Sequence, residues 1–172
     1  MRNLKYPLLA VSLAVLLAAC GGGSDEGVIV DEDDPEPTDI SATVTVASAT
    51  DLGLNGIYAT NGILVNNVTK VNPIGSDPET CRFKFAGPTN ALTGRTMGGD
   101  IRYRPDTDDL YVSWIAIDGV EFRLEGTTGA RVDRASDEID FAGAVLTKED
   151  GSGDSIALTG SIPMLPNRPG GC

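Results

Sequence analysis

Apolar and polar residues alternate in short runs along most of the chain. After residue 40, runs rich in β-branched and aromatic residues recur about every ten to fifteen positions, separated by Gly, Asn, Asp and Pro. No window there keeps an apolar stripe of helical period over three turns. The pattern predicts an all-β domain over residues 40–172. Its predicted strands are 41–47, 56–60, 63–71, 81–86, 100–104, 110–117, 120–125, 130–134, 138–147 and 155–162.

The even spacing of these strands and turns favours hairpins in succession. We expect an antiparallel meander of about eight to ten strands that closes into a small barrel. A two-sheet β-sandwich is the alternative, because it is built from similar strands and turns.

The clearest local signal lies in residues 110–125, where Asp118-Gly119 separates two strand-like runs. An Asp-Gly pair favours a two-residue type I′ turn, because both central residues need positive φ. That turn fixes the register and places Ile117 opposite Val120. One face is then predicted to enter the core, and it carries Tyr111, Ser113, Ile115, Ile117, Val120, Phe122 and Leu124. The other face pairs Ala116 with Glu121, Trp114 with Arg123, and Val112 with Glu125.

The outer face of this hairpin combines apolar and charged side chains. Val112 and Trp114, the one tryptophan of the chain, are predicted to face outward beside Arg123. A guanidinium stacked on an indole contributes about 0.5–1 kcal/mol at an exposed site, and the arginine stem covers apolar surface. Two interpretations remain open: a local packing pair on an ordinary sheet, or an aromatic platform that binds a sugar or a peptide.

A second candidate surface is cationic. In the runs 81–85 and 100–104, alternation sends apolar residues to one face and cations to the other. Pairing of these runs, joined by the Gly-rich segment 87–99, gathers the cations where they can hold a carboxylate or phosphate of an envelope glycan or lipid. The alternative is neutralisation by acids of neighbouring strands. The cations are Arg82, Lys84, Arg102 and Arg104, and the candidate acids are Glu121, Glu125, Asp133 and Asp140.

The N-terminus carries a different pattern, a cationic start followed by an apolar run. Arg2 and Lys5 precede residues 8–17, which are apolar apart from Ser12, and two alanines come before Cys20. About ten apolar residues are too few to cross ~30 Å of hydrocarbon, which takes about 20. The pattern is typical of a secretory signal peptide over residues 1–19.

Leu17-Ala18-Ala19-Cys20 resembles the lipobox of bacterial lipoproteins. The match covers residues 1–20 and assigns no family to the globular domain. It implies that the Cys20 thiol carries diacylglycerol and that the new N-terminus is acylated, for example with palmitate. Each buried acyl CH₂ contributes about 0.8 kcal/mol to membrane attachment. Since Gly21 rather than Asp follows the cysteine, the resemblance implies an outer-membrane anchor facing the periplasm or the cell surface.

Residues 20–39 are predicted to form a flexible acidic tether. From residue 21 to residue 39, eight residues are Asp or Glu and none is Lys or Arg. Such a segment buries too little apolar surface to become ordered, and its like charges repel. The whole chain has a net charge of −12, and an acidic protein is repelled by phosphate backbones. We therefore expect no nucleic-acid partner; the predicted partners are the membrane, through the anchor, and an envelope glycan or protein.

Two cysteines remain once Cys20 is assigned to lipid. Cys81 and Cys172 form an even pair in a chain predicted to enter an oxidising compartment, which favours a disulfide. That bridge would close a loop of about 90 residues and contribute roughly 4–5 kcal/mol in the chain-entropy model. It would also hold the Pro- and Gly-rich tail, residues 163–171.

Catalytic and metal-binding patterns are weak. The chain has no histidine, which excludes Ser-His-Asp and Cys-His pairs and histidine-ligated zinc. The acidic turns 106–109 and 149–154 offer oxygen ligands for Ca²⁺, yet neither completes an EF-hand loop. We predict no catalytic residue, no metal site and no cofactor apart from the lipid.

Three functions are compatible with these patterns. The favoured one is a lipid-anchored envelope protein with a non-catalytic binding or adhesion domain. A structural or assembly accessory of the outer membrane is the alternative. A hydrolase that uses paired carboxylates is the third.

Overall fold

The structure is a computed structural model that describes residues 34–172, and this part of the chain is all-β. It contains no α-helix in that range, and one 3₁₀ turn spans Leu52–Leu54. The strands are β1 (Glu36–Pro37), β2 (Ala42–Ala47), β3 (Gly56–Thr60), β4 (Leu64–Val65), β5 (Thr69–Val71), β6 (Thr80–Asn90), β7 (Thr96–Tyr103), β8 (Leu110–Ile117), β9 (Val120–Glu125), β10 (Ala130–Asp133), β11 (Glu138–Lys148) and β12 (Ser155–Pro163).

Eight of these strands form a closed antiparallel barrel. Around the ring the order is β2, β3, β6, β7, β8, β9, β11 and β12, and β12 pairs with β2 to close it. Strands β4 and β5 pair with β6, β1 pairs with β4, and β10 pairs with β11, outside the ring. The ring follows chain order, as the even hairpin rhythm predicts, so the meandering barrel is confirmed and the two-sheet sandwich is excluded.

The hairpin of β8 and β9 has the register predicted from its turn. Ile117 lies opposite Val120, and Trp114 lies opposite Arg123. Asp118 and Gly119 have φ of 48° and 81°, the positive values that a type I′ turn requires. The local turn therefore decides which side chains of this hairpin face the core.

The Gly-rich connection predicted between β6 and β7 is largely strand. β6 continues to Asn90 through a register shift after Ala86, and β7 already begins at Thr96. Gly99 explains why glycine is used inside β7, because a Cβ there would lie 2.5 Å from the Trp114 carbonyl oxygen. The predicted strand limits at residues 86 and 100 were therefore wrong, since the strands extend into the Gly-rich segment and its glycines allow close packing.

The interior of the barrel is occupied by aromatic and aliphatic side chains. Two buried tyrosines satisfy their hydroxyls with backbone carbonyls: Tyr58 donates to Leu54 at 2.9 Å, and Tyr103 donates to Cys172 at 3.1 Å. Other large interior side chains are Ile63, Phe83, Met97, Ile101, Leu110, Ile115, Ile117, Phe122, Ile139 and Leu146.

The C-terminal tail packs against the end of the barrel at which β6 begins. A disulfide joins Cys81, near the start of β6, to Cys172, as the cysteine count predicts. Arg168 forms an ion pair with Asp137 at 2.6 Å, and Met164 is buried in the core. The tail is therefore held by a covalent bond, by an ion pair and by apolar packing.

The predicted lipidation site Cys20, the signal peptide and most of the tether lie outside the described residues. Of the predicted tether, Glu36 and Pro37 form β1 and pair with Val65 and Leu64. Thr38 donates from its backbone N–H and from its hydroxyl to the Ile63 carbonyl, at 3.0 and 2.7 Å. The segment before β2 is thus bonded to the barrel wall. Over residues 34–172 there is no helix long and apolar enough to cross a membrane.

Candidate binding site on the barrel wall

Trp114 lies between two arginines on the outer wall of the barrel. It belongs to β8, whose neighbours in the ring are β7 and β9. Arg102 of β7 and Arg123 of β9 bring their Cζ atoms to 5.1 and 5.6 Å from the indole centroid. Both distances are within the range of a cation–π contact, about 6 Å. The register predicted the contact with Arg123, and the structure adds Arg102 from the other side.

Val112 is buried although it belongs to the outer face of β8. Its exposed fraction is 3%, and its partners across the two neighbouring strands are Arg102 and Glu125. It is not part of the hydrophobic cluster that fills the barrel. An apolar residue on an outer wall is buried when long neighbouring side chains lie over it, and arginine stems do this well. Val112 therefore forms the floor of a small cluster outside the barrel.

Tyr111 does not enter the core, and that prediction was wrong. A register shift after Arg102 places Tyr103 opposite Leu110, so Leu110 takes the interior position and is 1% exposed. Tyr111 instead donates a hydrogen bond from its hydroxyl to Asp77 Oδ1 at 2.8 Å. This bond to a carboxylate raises the pKa of Tyr111. The bulge thus adds an aromatic side chain to the outer wall.

Arg104 stacks on this displaced tyrosine. Its Cζ atom lies 5.5 Å from the centroid of the Tyr111 ring. Arg104 is exposed, and it makes no ion pair with a carboxylate of the described residues. Its backbone N–H donates to the Asp109 carbonyl at 2.9 Å. Arg104 therefore presents a guanidinium that forms no ion pair with the carboxylates of the described wall.

An open cleft of about 430 Å³, here called the arginine cleft, lies along this part of the wall. Its lining includes two guanidinium groups, a phenol ring, the apolar floor, two carboxylates and a hydroxyl, provided by Arg104, Arg123, Tyr111, Val112, Asp109, Glu125 and Thr127. Three of the residues predicted for the candidate surface, Arg104, Arg123 and Val112, thus share one concavity. Arg102 and Trp114 are adjacent to it through Arg123 and Val112.

The predicted cation cluster is partly neutralised, but by a different acid than predicted. Arg82 lies opposite Arg102 in the pairing of β6 and β7. Arg82 donates to Asp100 from Nε at 2.9 Å and from Nη2 at 2.7 Å, and Arg102 lies 3.8 Å from the same carboxylate. Lys84 lies opposite Asp100. Asp100 and Arg102 are two positions apart on β7, so their side chains lie on the same face of the sheet. The alternation of the sequence therefore already placed Asp100 among these cations.

The acids that were expected to neutralise this cluster have other partners or positions. Glu125 pairs with Arg123 at 2.6 Å. Asp133 and Asp140 both pair with Arg131, at 3.2 and 2.7 Å. Glu121 lies opposite Ala116, near the far end of the hairpin. Their predicted role towards Arg82, Lys84, Arg102 and Arg104 was therefore wrong, because Arg131 of β10 is the partner of Asp133 and Asp140, and Arg123 is the partner of Glu125.

Arg123 pairs with two carboxylates. Besides Glu125, it contacts Glu149 at 3.1 Å. The Nε atoms of Arg102 and Arg123 are nevertheless buried and lack a hydrogen-bond partner among the described residues. A buried donor without a partner costs about 1–3 kcal/mol. The packing around Trp114 thus keeps two donors unsatisfied.

The acidic turns do not form a metal site in the described part of the chain. Asp150 accepts from Lys148 at 2.5 Å, and this contact holds the pKa of Asp150 well below its usual range. Asp108 pairs with Arg134 at 3.0 Å. No group of His, Cys, Asp and Glu side chains in residues 34–172 could hold a metal ion. These two carboxylates thus form ion pairs with Lys148 and Arg134 of the same chain.

Sequence reasoning found the arginines of the arginine cleft but missed several other lining residues. Tyr111 was assigned to the core, and Thr127 was not singled out. Glu125 was placed on the correct face but only as a neutralising acid. The run Leu110-Tyr111-Val112 breaks the alternation of apolar and polar residues, which was the available signal for the bulge.

No protein-family model matches this chain, and neither a curated protein nor a solved structure matches it. The interpretation of the arginine cleft therefore depends on its own geometry. Its side chains can donate charge-assisted hydrogen bonds to an anion, accept hydrogen bonds from hydroxyl groups, and offer one aromatic ring.

Proposed function

We propose that this protein is a lipid-anchored protein of the bacterial cell envelope that binds a carboxylate-bearing glycan in the arginine cleft. The observation that carries the proposal is Arg104, a cation without a carboxylate partner in the described chain, stacked on Tyr111 within an open cleft. The role is binding without turnover.

The chemistry of the cleft suits an acidic sugar. A guanidinium donates two parallel hydrogen bonds to a carboxylate, and such charge-assisted bonds are roughly twice as strong as neutral ones. Glu125 accepts hydrogen bonds from sugar hydroxyls, and Thr127 both donates and accepts them. The Tyr111 ring provides an apolar surface for the carbon face of the sugar. The remaining acidic surface of the domain repels other anions, so binding requires this local geometry.

The envelope location is supported by the N-terminal sequence alone. The lipobox-like segment that ends at Cys20 and the acidic segment after it are what a tethered lipoprotein requires. Labelling of cells with radioactive palmitate tests this part. We expect incorporation into the natural protein and none into Cys20→Ser; equal incorporation into both would refute the anchor.

Glycan binding is tested by titrating the purified domain at low salt with the methyl glycoside of glucuronic acid and, as the neutral counterpart, methyl glucoside. We expect Trp114 fluorescence to change with the acidic sugar, because Arg123 contacts both the indole and the cleft. Arg104→Gln should weaken binding at least about tenfold. Arg131→Gln is the matched control, since Arg131 lies on β10 outside the arginine cleft. Equal binding of both sugars, or of both variants, would contradict the proposal.

A further inference from the structure

A second open cleft adjoins the arginine cleft on the outer wall. It measures about 740 Å³ and includes Arg123, Glu125, Thr128, Val145, Thr147 and Glu149 in its lining. This second concavity is here called the threonine cleft. Arg123 and Glu125 line both clefts. The two concavities therefore meet at β9, and together they extend from β8 to β11.

The boundary between the clefts is formed by side chains. Arg123 and Glu125 belong to the outer face of β9 and pair with each other at 2.6 Å. The Arg123 side chain is 37% exposed and that of Glu125 is 69% exposed. No described strand runs over the outside of β9 here, since β9 pairs with β8 and β11 within the ring. A ligand longer than one sugar unit can therefore lie across this pair.

The two clefts differ in charge. The arginine cleft contains Arg104 and Arg123 together with Asp109 and Glu125, so its charges balance, and Arg104 forms no ion pair among the described residues. The threonine cleft contains Arg123 together with both of its carboxylate partners, Glu125 and Glu149. Its own charge balance is negative, which disfavours a second anionic group.

The threonine cleft also differs in its uncharged surface. Val145 is 56% exposed there, one of few large hydrophobic residues with such exposure in the described chain. Thr128 and Thr147 supply hydroxyls, and Glu149 supplies an acceptor. An apolar patch with hydroxyls and acceptors around it suits a neutral sugar ring, which has a carbon face and hydroxyls at its rim.

We propose that the two clefts are consecutive subsites for an oligosaccharide in which an acidic sugar is linked to a neutral one. The acidic unit occupies the arginine cleft, and the adjoining neutral unit lies over Val145. Ligand pockets usually measure about 300–1,000 Å³, so either cleft alone has the size of a ligand subsite. This inference rests on the proposed function, because the arginine cleft must bind the acidic unit first.

The test compares three probes by calorimetry on the purified domain at low salt. They are the methyl glycoside of glucuronic acid, the disaccharide of glucuronic acid linked to glucose, and the disaccharide of two glucoses. We expect the acidic disaccharide to bind about tenfold more tightly than the acidic monosaccharide. The neutral disaccharide should bind at least tenfold more weakly than the acidic one.

Val145→Asn separates the subsites. This change removes exposed apolar surface without altering charge. It should therefore weaken binding of the acidic disaccharide about fivefold and leave binding of the acidic monosaccharide unchanged. Ile57→Asn is the matched control, because Ile57 is 60% exposed on β3, outside both clefts. Thermal unfolding of both variants establishes that they fold.

The outcomes distinguish the two proposals. If the acidic monosaccharide binds but the acidic disaccharide binds no more tightly, the second subsite is refuted and the arginine cleft stands. If neither acidic probe binds, the proposed function itself fails, and this inference fails with it. Equal loss of both acidic probes in Val145→Asn, or equal binding of both disaccharides, would also refute the second subsite.

Discussion

The hydroxyl of Tyr103 donates a hydrogen bond to the backbone carbonyl of Cys172 at 3.1 Å, across 69 positions of the chain. Tyr103 is the last residue of β7, and Cys172 is bonded to Cys81 of β6. Two adjacent strands of the barrel thus hold the same residue, one by a hydrogen bond and one by a disulfide. The C-terminal tail is thereby attached to the barrel end.

Removal of the disulfide should destabilise the domain. Cys81→Ser combined with Cys172→Ser opens a loop with a sequence separation of 91, and a loss of about 2–5 kcal/mol in the free energy of unfolding is expected. Urea denaturation followed by fluorescence measures it. Reductant should lower the urea midpoint of unfolding of the natural protein and leave that of the double variant unchanged. A reductant effect on both proteins would contradict the assignment of the Cys81–Cys172 disulfide.

Alkaline pH should destabilise the barrel through Tyr103. Burial, the largest cause, raises the pKa of Tyr103 from 10.0 to about 12. Since the folded-state pKa is the higher one, the stabilisation is complete below about pH 10 and is lost as the pH rises towards 12. The total loss is about 3 kcal/mol.

The Tyr103→Phe variant isolates this effect. It should lose about 1 kcal/mol at neutral pH, because the hydrogen bond to Cys172 is absent, and its stability should fall less steeply between pH 10 and 12. Urea denaturation at a series of pH values gives both slopes. Identical slopes for the natural protein and the variant would show that Tyr103 does not titrate in this range.

The two arginines beside Trp114 should shield the indole. Arg102→Gln and Arg123→Gln each remove a guanidinium within 5.6 Å of the ring centroid. Each change should lower the free energy of unfolding by about 0.5–1 kcal/mol and increase acrylamide quenching of the Trp114 fluorescence. Arg131→Gln should leave the quenching unchanged. If acrylamide quenching in Arg102→Gln and Arg123→Gln matches that in the natural protein, the guanidinium groups do not cover the indole in solution.

The turn between β8 and β9 should depend on glycine. Gly119 has φ of 81°, and a Cβ added there would have no other atom within 4 Å, so Gly119→Ala tests backbone conformation without a steric clash. We expect a loss of about 1–2 kcal/mol, the cost of placing an L-residue in the left-handed region. Gly170→Ala is the matched control, because Gly170 also has open space and no positive φ; its stability should change by less than about 0.5 kcal/mol. Equal effects of the two changes in urea denaturation would rule out strain at the turn.

Much of the fold was predictable because its determinants are local. Alternation of apolar and polar residues identified the ring strands, and Asp118-Gly119 fixed the register that places Trp114 opposite Arg123. The start of β7 was missed because Gly98 and Gly99 are typical of loops in sequence. Their use in a strand depends on the approach of Phe85 and Trp114, which only the folded barrel brings about.

The candidate site was harder to predict than the fold. A bulge between β7 and β8 places Tyr111 on the outer face instead of the core face. Alternation along a single strand does not predict a bulge that arises from the pairing of two strands. The same limitation affects ion pairing, since Asp100 partners Arg82 across β6 and β7. The arginines were found because their face follows the simple alternation, whereas their partners depend on the details of pairing.

The seam that closes the ring joins β2, the first ring strand, to β12, the last, through five residue pairs from Thr43–Ser161 to Ala47–Ala157. As an exported chain emerges N-terminus first from the membrane, β2 therefore lacks this neighbour until nearly the whole domain has followed. Contacts so distant along the sequence slow folding, and an unpaired strand edge invites association with other chains. A chain of this topology consequently benefits from a chaperone that covers β2 until β12 is available to pair with it.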